Sequence, residues 1–390
     1  MENTHDFHSP AINLIGVGAI KDLPLELMPY KLSKALIVTD KNIIKLGYVE
    51  MVEKILKSLF ISYDIFDGIL HPDCTISFVE DALTYFKKGL NILKRNYQII
   101  ISIGGGTNHD CAKAVAIIAT NGGSIEDYEG YEKMKKPALP VISINTTSGS
   151  GSEISNFAII KDDSRKVKMT IGDPKMMPII SVNDPMFMST MPPEVTASSG
   201  IDVLSHSIEG FVSTESSPIT DALAMKSMKL VFRYLKRAYE NGNDLEAREQ
   251  MMFANIMAGM VFNNAGLGYV HSMSHQLGPF YDQIHGTCNG ILLPYVLEFN
   301  SPSIPDERIF KMNEIIGLEA QTKKDAVNNI KHSIQNLCED IGLPTHLSSL
   351  GFNEKDLEFL SKNAEKDISS LTNPRQGTFT DIMNIFKAAI

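Results

Sequence analysis

The chain has 390 residues, 43% hydrophobic and 21% charged, with a formal net charge of -10; that is enough for two domains with cores, and too acidic for a nucleic-acid or anionic-membrane surface. No run of about 18 or more uncharged apolar residues occurs, so no membrane span is expected, and MENTHDFHSP lacks the basic and apolar regions of a secretory signal. Cys74, Cys111, Cys288 and Cys338 are dispersed without CxxC spacing, which favours reduced thiols in a cytoplasm over a disulfide framework.

KALIVTD (34–40) reads as a buried strand, with a helical stretch following to about residue 60. YDIFDGI (63–69) is a second strand, and a helix is expected from about 75 to 95. QIIISIGGG (98–106) is a third strand that runs into glycines. HDCAKAVAIIATN (109–121) then carries the apolar spacing of a helix, and LPVISIN (139–145) is a fourth strand. Such alternation predicts parallel strands with crossover helices on both faces. FAIIKDD (157–163), KVKMTIG (166–172) and IISVNDP (179–185) read as further strands. Beyond about residue 188 the β-branched runs thin out. Met-rich stretches such as MKSMKLVFRYL and MMFANIMAGMVF have helical apolar spacing, as a bundle core requires. The expected organisation is an α/β domain over 1–188 with a Rossmann-like parallel sheet and an all-helical domain over 189–390, with a ligand in the cleft between them.

Two glycine-containing loops follow strands. In IGGGTNHD (103–110), adjacent glycines admit a ligand close to the backbone, and the N-terminus of the next helix offers free N–H groups to a pyrophosphate. The GxGxxG fingerprint is absent, and a merely tight turn is the alternative. NTTSGSGSE (145–153) adds hydroxyls and amides suited to phosphate or ribose, or forms a flexible loop. Ligands sit at the carboxyl ends of strands in open α/β sheets, so the two loops support each other. Asp40 ends the first strand. It either accepts hydrogen bonds from ribose hydroxyls and repels a 2'-phosphate, or caps a helix.

The second half holds a different constellation. Asp202 and His206 are spaced i, i+4 and share a helical face; the structural alternative is a capping box of Asp202 with Ser199, and a packed histidine. His271, His275 and His285 follow in one short segment. Asp202, His206, His271 and His285 together offer three nitrogens and one oxygen, a set for Fe(II), Zn(II), Ni(II) or Co(II). Mg(II) and Ca(II) prefer oxygen-rich shells.

The motifs VTD (38–40), IGGGTNHDCAKA (103–114), NTTSGSGSE, VNDP (182–185), GIDVLSHSIEGF (200–211), AGMVFNNAGLGYVHSMSHQLG (258–278), IHGTCNGILLP (284–294) and NPR (373–375) run along nearly the whole chain. In them the chain resembles the iron-containing, or group III, alcohol dehydrogenases, and within that family the 1,3-propanediol, methanol and butanol dehydrogenase branch. The resemblance implies a dehydroquinate synthase-like architecture. It implies hydride transfer between NAD(H), rather than NADP(H), and a small primary alcohol or aldehyde. The metal it implies is Fe2+, with Zn2+ or another transition metal as alternatives, and it implies a homo-oligomer. Asp202, His206, His271 and His285 match the metal ligands. His275 matches a histidine near the reacting centre, where it relays a proton or orients a ligand. Gly104, Gly105, Gly106 and Thr107 match the pyrophosphate turn. Thr146, Thr147 and Ser150 match the second nucleotide loop, Asp40 the NAD-selecting acid and Lys168 a lysine beside the nicotinamide ribose. The chain departs from the family at ILHPD (69–73), where a Pro-Asn-Pro turn is common, and at Ile284, where proline is common. A functionalised aldehyde such as lactaldehyde, succinic semialdehyde or sulfoacetaldehyde is the alternative substrate. A carbon–oxygen lyase of the same architecture is the alternative reaction class, but its Lys/Arg cluster is missing beside Asp202 and His271.

Overall fold

The computed structural model describes residues 4–93 and 96–390. Two compact units emerge. One comprises His8–Thr147 and Gly151–Thr190; the other comprises Ser148–Ser150, Met191–Ile390 and the described residues before His8.

The first unit is α/β. Its strands are β1 (Ile12–Ile15), β2 (Lys34–Asp40), β3 (Ser62–Ile69), β4 (Cys74–Thr75), β5 (Ile99–Gly104), β6 (Gly130–Tyr131), β7 (Val141–Asn145), β8 (Phe157–Asp162), β9 (Val167–Gly172) and β10 (Ile180–Asn183). Its helices are α1 (Leu23–Leu27), α2 (Lys41–Lys45), α3 (Tyr48–Ser58), α4 (Ile76–Leu93), α5 (Gly106–Asn121) and α6 (Pro185–Met188). Six strands form a parallel sheet in the order β1-β10-β7-β5-β2-β3. The central strands are apolar on both faces because both are covered. Leu36, Val38 and Ile100 pack towards α4 and α5, whereas Ala35, Ile37, Ile99, Ile101 and Ile103 pack towards α1 and α3. Chain progression reverses between β2 and β5: β2 leads outward to β3, and β5 leads the other way to β7 and β10. In open α/β sheets ligands bind at the carboxyl ends beside such a reversal. Here those ends are Asp40 and Gly104.

Two features of the sheets go beyond the sequence reading. The runs 157–163 and 166–172 are strands, but they lie outside the parallel sheet. β8 and β9 pair antiparallel in a second sheet of order β4-β8-β9-β6. The link between them is a tight turn, far too short for a crossover. Asp162 braces it by accepting from the Ser164 and Arg165 amides at 2.9 and 3.1 Å. The edge strand β1 was not anticipated. Four half-exposed residues carry too little periodicity to signal a strand. The helix expected over 75–95 is present as α4 to Leu93, and its last two positions lie outside the described residues.

The second unit is helical among its described residues, with α7 (Pro193–Val212), α8 (Pro218–Glu240), α9 (Leu245–Ala265), α10 (Tyr269–Tyr281), α11 (His285–Asn300), α12 (Asp306–Ile315), α13 (Lys323–Asp340), α14 (Leu357–Lys366) and α15 (Phe379–Ala388). One apolar core joins these helices through residues such as Leu204, Ile208, Val231, Met251, Val270, Leu292 and Phe386. Pro193 at the first position and Glu194 in the first turn favour the start of α7. The guanidinium of Arg248, 1% exposed, pins that start by donating to the Met191 carbonyl and Thr196 Oγ1 at 3.1 and 2.7 Å. α7 therefore begins well before Ser199. Asp202 lies inside the helix, and the capping-box alternative fails. Gly286 brings α11 onto the backbone of α7: a Cβ there would lie 2.0 Å from the Ser198 carbonyl oxygen.

Candidate metal centre and nucleotide turn

Asp202 and His206 project from one face of α7, His271 from the first turn of α10, and His285 from the first position of α11. The Nε2 atoms of His206, His271 and His285 lie 3.6, 3.5 and 3.7 Å from Asp202 Oδ1. Tetrahedral donors on a metal with bonds near 2.1 Å are about 3.4 Å apart; Asp202, His271 and His285 offer donor atoms all within 4.8 Å of one another, close enough to share an ion, and His206 Nε2 reaches the same carboxylate oxygen without joining that mutual group. Asp202, His206 and His271 are buried, and His285 is partly exposed. The His206 and His271 rings stack at 4.6 Å.

Electrostatics prepares the donors. Burial opposes charge on Asp202, but His206, His285 and His271 around it hold its carboxyl well below the usual range. Burial pushes His206 down to about 4, so its imidazole is neutral at pH 7. Burial also works against charge on His271, yet Glu209 and Asp202 outweigh it and raise its pKa to about 9. The His271 imidazole is therefore held in its protonated form at neutral pH.

Three further side chains complete the cluster. Glu209, on α7, faces His271 Nδ1 in a short contact and accepts from the Val270 amide at 2.7 Å. The Asn289 Nδ2 donates to Asp202 Oδ1 at 2.8 Å and lies 3.3 Å from Nε2 of both His271 and His285. Asp367 Oδ2 bonds His275 Nδ1 at 3.0 Å. His275 stacks on His285 with ring centroids 5.3 Å apart and stands outside the group around Asp202 Oδ1. None of the three was anticipated. Glu209 left a trace, an acid three residues beyond His206 and seven beyond Asp202 on the same helical face. Asp367 left none, because 92 positions separate it from its partner. The NPR motif is a clamp: Asn373 Oδ1 accepts from the Tyr269 amide at 3.2 Å, and Arg375 donates to the Phe299 carbonyl at 2.7 Å.

In the α/β unit, Gly104, Gly105, Gly106 and Thr107 form the turn from β5 into α5, and Gly105 is the helix N-cap with no side-chain bond. The first amides of α5 thus point out of the turn without a side-chain cap, as an anion site requires. Gly104 has φ +150°, and a Cβ there would lie 2.4 Å from Asn108 Cγ. Asp40 Oδ1 caps α2, accepting from the Asn42 and Ile43 amides at 2.8 and 3.1 Å. Its Oδ2 accepts from Asn108 Nδ2 at 3.1 Å, which ties the ends of β2 and β5 together. Thr146 donates its amide to the Gly104 carbonyl at 3.0 Å, and the Thr147 amide donates to Asn145 Oδ1 at 3.1 Å. The second loop thereby lies beside the first. Ser150 groups with the helical unit instead.

Lys168, on β9, pairs with Asp73 at 2.8 Å; burial raises the Asp110 carboxyl on α5 despite the opposing charges of Lys113 and, more weakly, Lys168. Asp73, in the variant ILHPD stretch, adopts φ 71°. The second loop is held from below by Lys113. Its buried ammonium donates to the carbonyls of Ser152, Ser155 and Phe157 at 2.5, 2.9 and 2.6 Å, and burial lowers its pKa to about 8. Asp110 accepts from Ser152 Oγ at 2.6 Å. His109, next to the turn, is structural: it is fully buried against Ser102, and burial drops its pKa to about 3.

Comparison with known proteins gives concordant results. Residues 10–185 match the family model for iron-containing alcohol dehydrogenase, and residues 196–390 match the C-terminal model of the Fe-containing alcohol dehydrogenase family. Alcohol dehydrogenase 4 of Schizosaccharomyces pombe is 44% identical over 98% of this chain and 89% of its own length. The NAD-dependent methanol dehydrogenase of Bacillus methanolicus is 39% identical over 99% of this chain and 100% of its own. The crystal structure of a 1,3-propanediol oxidoreductase superposes over 100% of both chains with a TM-score of 0.93 at 36% identity. The convergence of three imidazoles on one carboxylate, the glycine turn at the sheet reversal and these matches lead to one conclusion: the chain belongs to the iron-containing alcohol dehydrogenase family.

Proposed function

We propose that the protein is an NAD-linked, metal-dependent alcohol dehydrogenase acting on a small primary alcohol or the corresponding aldehyde, of the size of 1,3-propanediol or a short-chain alcohol. The observation that carries this reading is the set of three Nε2 atoms within 3.5–3.7 Å of Asp202 Oδ1. Asp202, His206, His271 and His285 hold a divalent ion, with Fe2+ favoured by the family. The glycine turn Gly104–Thr107 would hold the NAD pyrophosphate, with Thr146 and Thr147 beside it, Ser150 as a further contact of the second nucleotide loop and Lys168 for the nicotinamide ribose. When bound, the ion would supply Lewis acidity at the alcohol hydroxyl and NAD would supply the hydride acceptor. His275 receives the proton. Its Nδ1 is committed to Asp367, which leaves Nε2 to accept it.

Four buried free cysteines suit a cytoplasmic enzyme. Among the described residues no helix is long and apolar enough to cross a membrane. A homo-oligomer remains part of the proposal on family grounds.

Metal-stripped protein reconstituted with Fe2+ or Zn2+ should produce NADH from NAD+ and at least one member of a panel of short primary alcohols and diols. Chelation should stop it. No net change in NADH absorbance in either direction, with fully loaded protein and the whole panel, would overturn the reading.

Asp40 sets the cofactor. Asparagine there keeps the cap on α2 but removes the charge. Asp40→Asn should raise the kcat/KM ratio of NADP over NAD roughly tenfold, about 1.4 kcal/mol. An unchanged ratio would reject the role.

A further inference from the structure

The buried carboxylate of Glu209 has no place in the ligand set or in the nucleotide turn. It sits on α7, 3% exposed, and its two oxygens do different work. Oε1 accepts from the Val270 amide at 2.7 Å. α10 starts at Gly268 without a cap from its own N-cap residue, and Glu209 adds a negative charge and a second acceptor beside Asn373, which takes the Tyr269 amide. Oε2 faces Nδ1 of His271 in a short contact. A carboxylate only accepts, so Nδ1 keeps its proton, and Nε2, 3.5 Å from Asp202 Oδ1, is the nitrogen that can give up its own to an ion. Gly268 permits this approach, because a Cβ there would lie 2.9 Å from Glu209 Oε1.

We infer that Glu209 is a positioning residue that fixes the tautomer and orientation of His271, and through them the affinity of the four-donor site for its divalent ion. The inference rests on the metal-site reading above. A histidine whose far nitrogen is bound to a carboxylate is a better base and a less mobile ligand. Because the other oxygen of the same carboxylate caps α10, the imidazole and the helix that carries it are set by one group.

Glu209→Gln separates the two tasks. The glutamine carbonyl can still accept from Val270 and keep α10 capped. The NH2 then faces Nδ1 and donates to it, which moves the ring proton to Nε2, where it blocks coordination. Metal-free full-length protein is titrated with Zn2+ against a chromophoric chelator, and the Co2+ form is examined by its visible absorption. Glu209→Gln is expected to bind Zn2+ about 10–100-fold more weakly than the wild type and to show an altered Co2+ spectrum, with its metal-free circular dichroism unchanged. His271→Ala is the control and should lose affinity further. Wild-type Zn2+ affinity and Co2+ spectrum in Glu209→Gln, together with loss of metal in His271→Ala, overturn this inference and leave the metal site standing. Unchanged affinity in His271→Ala overturns both. A second readout needs no variant. Zn2+-loaded wild-type protein should show a low-field imidazole N–H proton resonance from the His271–Glu209 bond, and its absence also overturns the inference.

Discussion

Changing His285 to alanine is expected to strip the metal and lower kcat/KM at least about a thousandfold, ~4 kcal/mol of lost transition-state stabilisation. Of the three imidazoles His285 gives the cleanest test. It is the first residue of α11, a position where alanine is well tolerated by the helix. Its side chain is 24% exposed, so removing it leaves a small defect at the rim of the core. His271→Ala would instead strand the Glu209 carboxylate in a buried site. The measurement is metal content after dialysis, taken with turnover. Stoichiometric metal together with wild-type turnover in the His285 variant would remove this residue from the ligand set.

Gly104→Ala should cripple cofactor binding while leaving the metal in place. Gly104 has φ +150°, a backbone state that costs an L-residue about 1–3 kcal/mol. The new methyl would also lie 2.4 Å from Asn108 Cγ. Asn108 must then move, and with it go its bonds to Asp40 and the Ile103 carbonyl, which fix the turn against β2. We expect the KM for NAD to rise tenfold or more, about 1.4 kcal/mol, with metal content unchanged. A KM for NAD equal to that of the wild type would show that the turn does not carry the nucleotide.

Local pattern carried much of this protein and failed where contacts are non-local. Continuous apolar runs such as KALIVTD and IIISIG are legible as doubly covered strands, because burial on both faces leaves no polar alternation. Asp202 and His206 are legible as a pair because a helix repeats its face at four residues. FAIIKD and VKMTIG show strands but not partners; which sheet a strand joins depends on its connections. Asp40 was left between two readings, and the structure displays the cap while the charge it brings to the sheet end is the same in both. Asn289 stands four positions beyond His285 on one face of α11, a local trace the sequence reading passed over, whereas Asp367 meets His275 only after the last helices have packed, so nothing near it in the chain announces its place.

The segment from Asp367 to Arg375 has a bearing on how the enzyme is made. Thr372 accepts from Thr214 at the end of α7 and donates to the Leu267 carbonyl, Asn373 secures the start of α10, and Asp367 holds His275. A nascent polypeptide that has emerged only as far as α13 already contains every proposed ligand, together with Glu209 and Asn289, but not the residues that clamp the start of α10 and hold His275. Those two contacts can form only once the last part of the sequence has been translated.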